Sequence, residues 1–413
     1  MAIDATTTDA PTRVAAKLAR ELDPSDRDVA DASMLPSECY TSPDFFAFEK
    51  RALFAREWLC VGRASDVPDR GDYFTTTVAD EPLLVVRGND DQIRVLSAVC
   101  RHRGMVITDP VPKARAHWWD TEPTETAGNC PHAFRCPYHY WTYDLTGRLI
   151  GAPDMQRTAE FERSAHGLPN LRVETWKGFI FANLDEHAEP LAPRLAPIET
   201  MIENWHIDEM ISGHAEQLRG LPWNWKVMVE NFVEFYHSDR LHHPICEFSR
   251  SDSYISHPFD PADATVIAAG KTTHPDFGFN PTFKSLFPPI AALTDEERAL
   301  AVFFLIPPSL AFGVNSDSAF YFLLNPTAVD RLDIKVAGLY PPEYCDLPLF
   351  EQLEGLAGLG IEYFNEQDFA AVSSIQRGLR SQFAPRGRFS WQEEPITHFN
   401  RWLIRRYRDA LAS

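Results

Sequence analysis

Two short stretches constrain this chain more than anything else in it: Cys100-Arg101-His102-Arg103-Gly104 and Cys136-Pro137-Tyr138-His139, the second followed by Trp141. Each places one thiol and one imidazole on a single tight loop. A pair of such loops can clamp a binuclear iron centre, with two thiolates on one iron and two neutral imidazoles on the other. Exchanging two thiolates for imidazoles raises the reduction potential, so such a centre accepts an electron from a soluble donor and passes it on. The same four donors also suit tetrahedral zinc. The remaining cysteines do not argue for a disulfide scaffold, because seven thiols are odd in number and sparse over 413 residues. They read as the reduced thiols of a cytosolic protein.

Charge excludes more than it identifies. With 39 basic and 59 acidic residues the net charge is −20, which argues against nucleic acid or an anionic membrane as the main partner. No stretch reads as a membrane span: the most apolar run, Ala301 to Val314, is too short and is broken by Pro307 and Pro308. The first residues lack the apolar core of a signal peptide. At about 150 residues per domain the length suggests two or three domains.

Residues 1–41 are polar and acidic and read as a loosely held arm with one short helix, Val14 to Leu22. From Ser42 the spacing of Phe45, Phe48, Leu53, Phe54 and Trp58 predicts an amphipathic helix. Short β-like runs follow, at Asp72–Val78, Pro82–Arg87, Ile93–Ala98, Trp141–Tyr143, Leu149–Ile150, Leu171–Thr175 and Phe179–Ala182, separated by turn residues. The Pro-rich stretch Pro190–Pro197 marks a domain boundary. Beyond it the pattern predicts a helix over Asn224–Leu241, a hairpin around Asn315-Ser316-Asp317 and a long helix over Leu349–Gln382. The class is α+β, with an arm over 1–41, a small β domain over 42–190 and a larger domain over 191–413.

The larger domain carries a second constellation, Glu230-Asn231-Phe232-Val233-Glu234-Phe235-Tyr236-His237 followed by His242-His243-Pro244. Glu234 and His237 lie i,i+3 and on a helix share a face. His237 and His242 are five apart, and both reach one ion only if the helix loosens ahead of Pro244. Two histidines need a carboxylate to complete the facial triad of a non-haem iron site. Downstream, Phe364, Ala371, Val372, Ile375 and Leu379 form an apolar helical stripe with Asp368 inside it. A carboxylate on a core-facing stripe needs a strong partner, and a metal is one. Glu366 points off that stripe, and His243 is one residue off the ligand spacing.

The paired loops, with Arg103-Gly104 and Pro137-Tyr138 beside the ligands, resemble the Rieske [2Fe–2S] domain rather than a zinc site. The Glu-Asn-Phe-x-Glu-x-Tyr-His-x4-His segment and Asp368 ahead of Ser-Ile-Gln-Arg-Gly resemble the catalytic domain of Rieske non-haem iron, ring-hydroxylating oxygenases. The resemblance covers about residues 42–410. It implies a small antiparallel β Rieske domain and a larger helix-grip, START-like catalytic domain with a central antiparallel sheet. Cys100, His102, Cys136 and His139 would hold the [2Fe–2S] cluster, and His237, His242 and Asp368 a mononuclear non-haem Fe(II). Glu234 matches the acidic residue that bridges the cluster of one subunit to the iron of the next. The implied enzyme is a cytoplasmic homotrimer, with or without a β subunit, that uses O2 on a small organic substrate. It takes electrons from an NAD(P)H-dependent reductase or a ferredoxin, and no G-x-G-x-x-G fingerprint is present for NAD(P)H on this chain.

One departure stands out. Thirty-three residues separate His102 from Cys136, more than is usual in that family. The extra segment, about Pro112 to Asn129, holds Trp118, Trp119 and an acidic run. It leads into a second C-x-H, Cys130-Pro131-His132, which stands too close to Cys136 to fold a loop pair with it and is therefore read as a non-ligand. Glu at position 234, where many relatives have Asp, looks like the branch acting on quaternary ammonium compounds. Trp205, Trp223, Trp225, Phe232 and Tyr236 are available as a cation-binding box. The Phe-rich hairpin (Phe303, Phe304, Phe312, Phe320, Phe322) fits an apolar aromatic substrate equally well, so mono- or dioxygenation and substrate class stay open. A Rieske carrier without oxygenase activity is the alternative.

Overall fold

The computed structural model describes residues 9–108, 127–242, 247–272, 274–275, 277–280 and 282–412. The chain divides into two compact units, Cys60–Ala188 and a second that joins the chain up to Leu59 to Glu189 onward.

The smaller unit is built from antiparallel strands. β1 (Leu59–Arg63), β10 (Phe179–Asn183) and β9 (Arg172–Trp176) make one three-stranded sheet. β4 (Ile93–Ser97), β3 (Glu81–Arg87), β2 (Asp72–Val78) and β5 (Ala127–Asn129) make a four-stranded sheet. β6 (Ala133–Arg135), β7 (Thr142–Asp144) and β8 (Leu149–Gly151) make the third. β3 explains why one small unit has two cores. Its side chains alternate, so Leu83 and Val85 pack with Val61, Val95 and Ile180, while Leu84 and Val86 pack with Cys100, Cys136, Trp141 and Tyr143. Of the insertion only residues 127–129 fall within the described residues, where they pair with β2.

The larger unit holds a seven-stranded antiparallel sheet. β12 (Tyr254–Ser256), β13 (Val266–Lys271), β14 (Leu300–Ile306), β15 (Leu310–Val314), β16 (Ala319–Ala328) and β17 (Arg331–Tyr340) follow one another as a meander. β11 (Ile211–Leu221) closes the far edge beside β17. The turn between β15 and β16 is held by Asn315, whose side-chain oxygen accepts from Asp317 N and Ser318 N. The helix Trp225–Val233 packs on β13, β14 and β16, and the long helix Phe350–Leu379 packs on β11 and β17. This is the sheet-and-helix catalytic domain expected from the resemblance.

Two expectations about the N-terminal region are corrected. From Ala10 onward the arm is not loosely held: the helix Ala10–Ala19 buries Leu18, and Leu22, Ala32 and Leu35 are buried behind it. Arg401 and Arg408, on the C-terminal helix Glu394–Ala412, form ion pairs with Asp28, Asp23 and Asp26. The helix beginning at Pro43 belongs with the larger unit rather than with the small β domain. Its Glu49 is fully buried and accepts from Lys226 Nζ at 2.8 and 3.0 Å, and also from Tyr407. A buried charge persists only where its partner is, and both partners lie in this unit. Phe45 and Phe48 pack on Tyr407, and Phe54 packs edge-on against Trp225.

Candidate active site

In the smaller unit the two Cys/His loops are copies of one turn. Cys100 N donates to Met105 O, five residues on, and Cys100 O accepts from Gly104 N, four residues on. Cys136 makes the same two bonds with Trp141 and Tyr140. The residue four after each cysteine has positive φ, 76° at Gly104 and 61° at Tyr140. Glycine adopts that conformation freely, whereas the tyrosine is strained there. Both thiols are buried and both imidazoles are exposed, with ring centroids 4.7 Å apart. Trp141 stacks on His102 at 4.9 Å. The Tyr143 hydroxyl lies 3.3 Å from Cys100 Sγ and accepts from Arg101 N at 3.0 Å.

Electrostatics suits a metal here. Burial pushes the Cys136 thiol up, and the adjacent Cys100 works the same way, so a thiolate needs a positive partner. Desolvation and the nearby His139 lower the pKa of His102, which favours the neutral imidazole that a metal requires. The second C-x-H contributes nothing to this arrangement: the Cys130 thiol donates to Ala133 O at 3.1 Å and packs on the core, and His132 is exposed.

In the larger unit the helix predicted over Asn224–Leu241 is broken, and the break makes the site. The helix ends at Val233, Glu234 is extended (φ −115°, ψ 152°), and a single turn, Ser238–Leu241, separates His237 from His242. Glu234 and His237 therefore do not share a helix face. Glu234 instead folds back, accepting from His237 N at 3.2 Å and pairing with His237 Nδ1 at 2.6 Å. On an unbroken helix the two imidazoles would diverge; across the turn their centroids are 5.2 Å apart. His243 lies outside the described residues.

Asp368 reaches the same point from the long helix. Its Oδ1 is 3.5 Å from His237 Nε2 and 3.1 Å from His242 Nε2, and these three ligand atoms lie within 4.8 Å of one another. The buried face of that helix reads Asn365, Val372, Gln376 and Leu379, with Glu366 exposed. Ile375, placed on the stripe from sequence, is exposed, and the polar Gln376 takes the interior. Gln376 is satisfied there, accepting from Asn224 N and donating to Tyr40 O.

His237 keeps the partner expected from the sequence, Glu234, whereas His242 and Asp368 have partners that sequence reasoning did not pair with them. Gln367 Oε1 lies 2.9 Å from His242 Nδ1, and Asn231 Nδ2 donates to Asp368 Oδ1 at 3.2 Å. With both Nδ1 atoms engaged by oxygen acceptors, both Nε2 lone pairs converge beside a carboxylate oxygen. Two imidazoles and one carboxylate on one side of a cavity are the donor set of a non-haem Fe(II) site, so the residues fit that ion. Burial opposes a charged His237, but the hydrogen bond and charge of Glu234, helped by Asp368, outweigh it and raise its pKa.

The triad forms one wall of a cavity of about 110 Å³. Seven phenylalanines, Tyr254, Met228 and Ile361 line the rest, with Asn231, Ser238, Ser249 and Asn365 as the uncharged polar groups and Glu234 as a further carboxylate. Among the described residues no Lys or Arg lines it. Of the proposed aromatic box only Phe232 reaches the cavity. Trp205, Trp223 and Trp225 are buried elsewhere, and Tyr236 is exposed with Arg240 over its ring. Of the Phe-rich hairpin, Phe303, Phe320 and Phe322 line the cavity, whereas Phe304 and Phe312 pack on each other with tilted rings and lie outside it.

Residues 200–409 match the ring hydroxylating alpha subunit (catalytic domain) family, and residues 57–162 match the Rieske [2Fe-2S] domain. The first match spans half of the chain, and the chain belongs to that family. It is 27% identical to the carnitine monooxygenase oxygenase subunit of Acinetobacter pittii over 84% of this chain and 85% of that one. It is 34% identical to the benzene 1,2-dioxygenase alpha subunit of Pseudomonas putida, over 51% of this chain and 45% of that one. Among solved structures, a quaternary ammonium Rieske monooxygenase in complex with L-carnitine aligns with a TM-score of 0.73 at 23% identity, over 92% of this chain and 98% of that one.

The protein is accordingly the oxygenase component of a Rieske non-haem iron system, an oxidoreductase acting with O2 and a small-molecule substrate. Its cofactors are a Rieske [2Fe–2S] cluster and a mononuclear non-haem iron, and its electrons come from a reductase or ferredoxin partner. A Rieske carrier without oxygenase activity does not account for the catalytic domain. Among the described residues no helix is long and apolar enough to cross a membrane.

Proposed function

We propose that this oxygenase acts on a small, uncharged, ring-bearing substrate, oxygenating it inside the Phe-lined cavity. The observation that carries this reading is the lining itself: seven phenylalanines beside the triad, and no Lys or Arg among the described lining residues. An apolar ring placed there is desolvated and packs edge-on against other rings. A betaine would bring a carboxylate into the same space with no Lys or Arg among the described lining residues to meet it.

In this reading His237, His242 and Asp368 hold the iron, and Cys100, Cys136, His102 and His139 hold the cluster. Bound iron supplies O2 activation, and the cluster supplies a reducing equivalent. The chain's own residues do the rest. Glu234 holds His237 through Nδ1, Gln367 does the same for His242, and Asn231 steadies the Asp368 carboxylate. The phenylalanines exclude water around the reacting carbon. Glu234 is also the electron bridge, in a cytoplasmic homotrimer where the cluster of one subunit serves the iron of the next.

A second reading, N-methyl oxidation of a quaternary ammonium compound, is favoured by the carnitine monooxygenase relatives and by glutamate at position 234. Reconstitution with a surrogate reductase separates the two. A hydroxylated ring product from benzene or an alkylbenzene is the expected result. Formaldehyde from a methylated amine, with no ring product, would sink the first reading.

A further inference from the structure

Resting on the assignment of this cavity to the substrate, we propose that two glycines outside it, Gly313 and Gly270, set its depth. Each lies on a strand directly opposite an aromatic residue that forms the cavity wall. Gly313 on β15 pairs with Phe320 on β16, and Gly270 on β13 pairs with Tyr254 on β12. Phe320 and Tyr254 line the cavity, and neither glycine does.

The rings lie back over the glycines. A Cβ on Gly313 would stand 2.5 Å from Phe320 Cζ and 2.6 Å from Cε1. A Cβ on Gly270 would stand 2.5 Å from Tyr254 Cγ. Carbon atoms ordinarily pack at about 3.5–4.0 Å, so each ring occupies space that any side chain would fill. Neither glycine has positive φ, so the backbone does not demand glycine at these positions. What glycine contributes is missing volume, as where an aromatic side chain covers a strand glycine.

The row across this sheet makes the logic plain. Ala268, Phe303, Gly313, Phe320 and Gly338 are successive cross-strand partners on β13 to β17, alternating small and large. Phe320 is flanked sideways by Phe303 at 5.9 Å and Phe322 at 5.8 Å. Those two rings bar the β14 side and the direction along β16. On the β17 side Tyr340 already covers Gly338, so a ring lifted off Gly313 moves outward, toward the space where the substrate sits. Tyr254 is hemmed differently: it stacks on Phe235 at 3.6 Å, and its hydroxyl bonds Ser249 Oγ at 2.8 Å. Lifting it presses on Phe235, another cavity residue.

The test uses the iron-loaded holoenzyme with reductase and a series from benzene to butylbenzene. Gly313→Ala is expected to lower the ratio of kcat/KM for butylbenzene over benzene at least about tenfold, the scale at which pockets discriminate single methylenes. Gly313→Ala combined with Phe320→Leu vacates the clash and should restore the ratio. An unchanged ratio in Gly313→Ala at full iron content overturns the inference. If the native enzyme oxygenates none of these compounds, the substrate reading fails by itself. The crystal structure of Gly313→Ala then decides the inference: a Phe320 ring displaced toward His237 and Asp368 supports it, and a ring left in place overturns it.

Discussion

The residues assigned to the cluster come from two turns that repeat each other hydrogen bond for hydrogen bond, each closed within six residues. The residues assigned to the mononuclear iron come from the two ends of a single turn beyond one helix and from the middle of another helix far downstream. In the first case short-range turn geometry aims the ligands, and the strain it requires, at Tyr140, is local. In the second case packing brings the ligands together and side-chain partners aim them: Glu234 for His237, Gln367 for His242, Asn231 for Asp368. A turn-built site tolerates change around it as long as the turn closes. A packing-built site depends on each partner separately, and that difference is open to attack.

The largest effect is expected from Asp368→Ala, which leaves two imidazoles and no carboxylate. Mononuclear iron content and product formation should fall by more than about a hundredfold, beyond the usual cost of losing an outer partner. The Rieske visible spectrum should be unchanged. Iron retained at one mononuclear ion per chain would mean that the third ligand lies elsewhere. Next comes Glu234→Gln, which keeps an acceptor near His237 but removes its charge. We expect turnover to drop about 10- to 100-fold with both metals bound, and the reduced cluster to reoxidise slowly in a single turnover. Full turnover would remove Glu234 from both the positioning and the electron-bridge roles.

Gln367→Leu sharpens the comparison within the larger unit. It frees His242 Nδ1, and Fe(II) affinity measured by chelator competition should fall about tenfold, with the cluster spectrum untouched. An unchanged affinity would show that packing alone orients His242. The smallest effect belongs to the turn-built site. Tyr143→Phe removes the hydroxyl beside Cys100 Sγ and should lower the cluster potential by roughly tens of millivolts, leaving iron content and loop structure intact. Loss of the cluster in this variant would erase the contrast between the two sites.

Legibility followed the same divide. β2 to β4 and β7 to β10 lie within a residue or two of their predicted runs, because alternating apolar residues between turn residues encode them locally. The hairpin at Asn315 and the long helix from Phe350 were legible for the same reason. The helix at Pro43 was legible as a helix, but its place was not, since the Lys226 that neutralises Glu49 lies far along the chain. Ile375 and Gln376 exchanged places because the pattern has no means of knowing that Asn224 and Tyr40 would satisfy a buried amide. The aromatic box failed similarly: tryptophans near the motif in sequence became core, and phenylalanines from five different segments became the wall.

What the sequence determined by itself was the donor chemistry and the class of enzyme, because ligand type and short spacing are covalent facts that no packing alters. The tertiary structure decided the rest: where a helix breaks so that two histidines converge, which amide and carboxylate aim them, and how far a ring can lie back over a glycine. Those depend on which distant residues meet, and long-range packing leaves only a faint periodic trace in the chain that produces it.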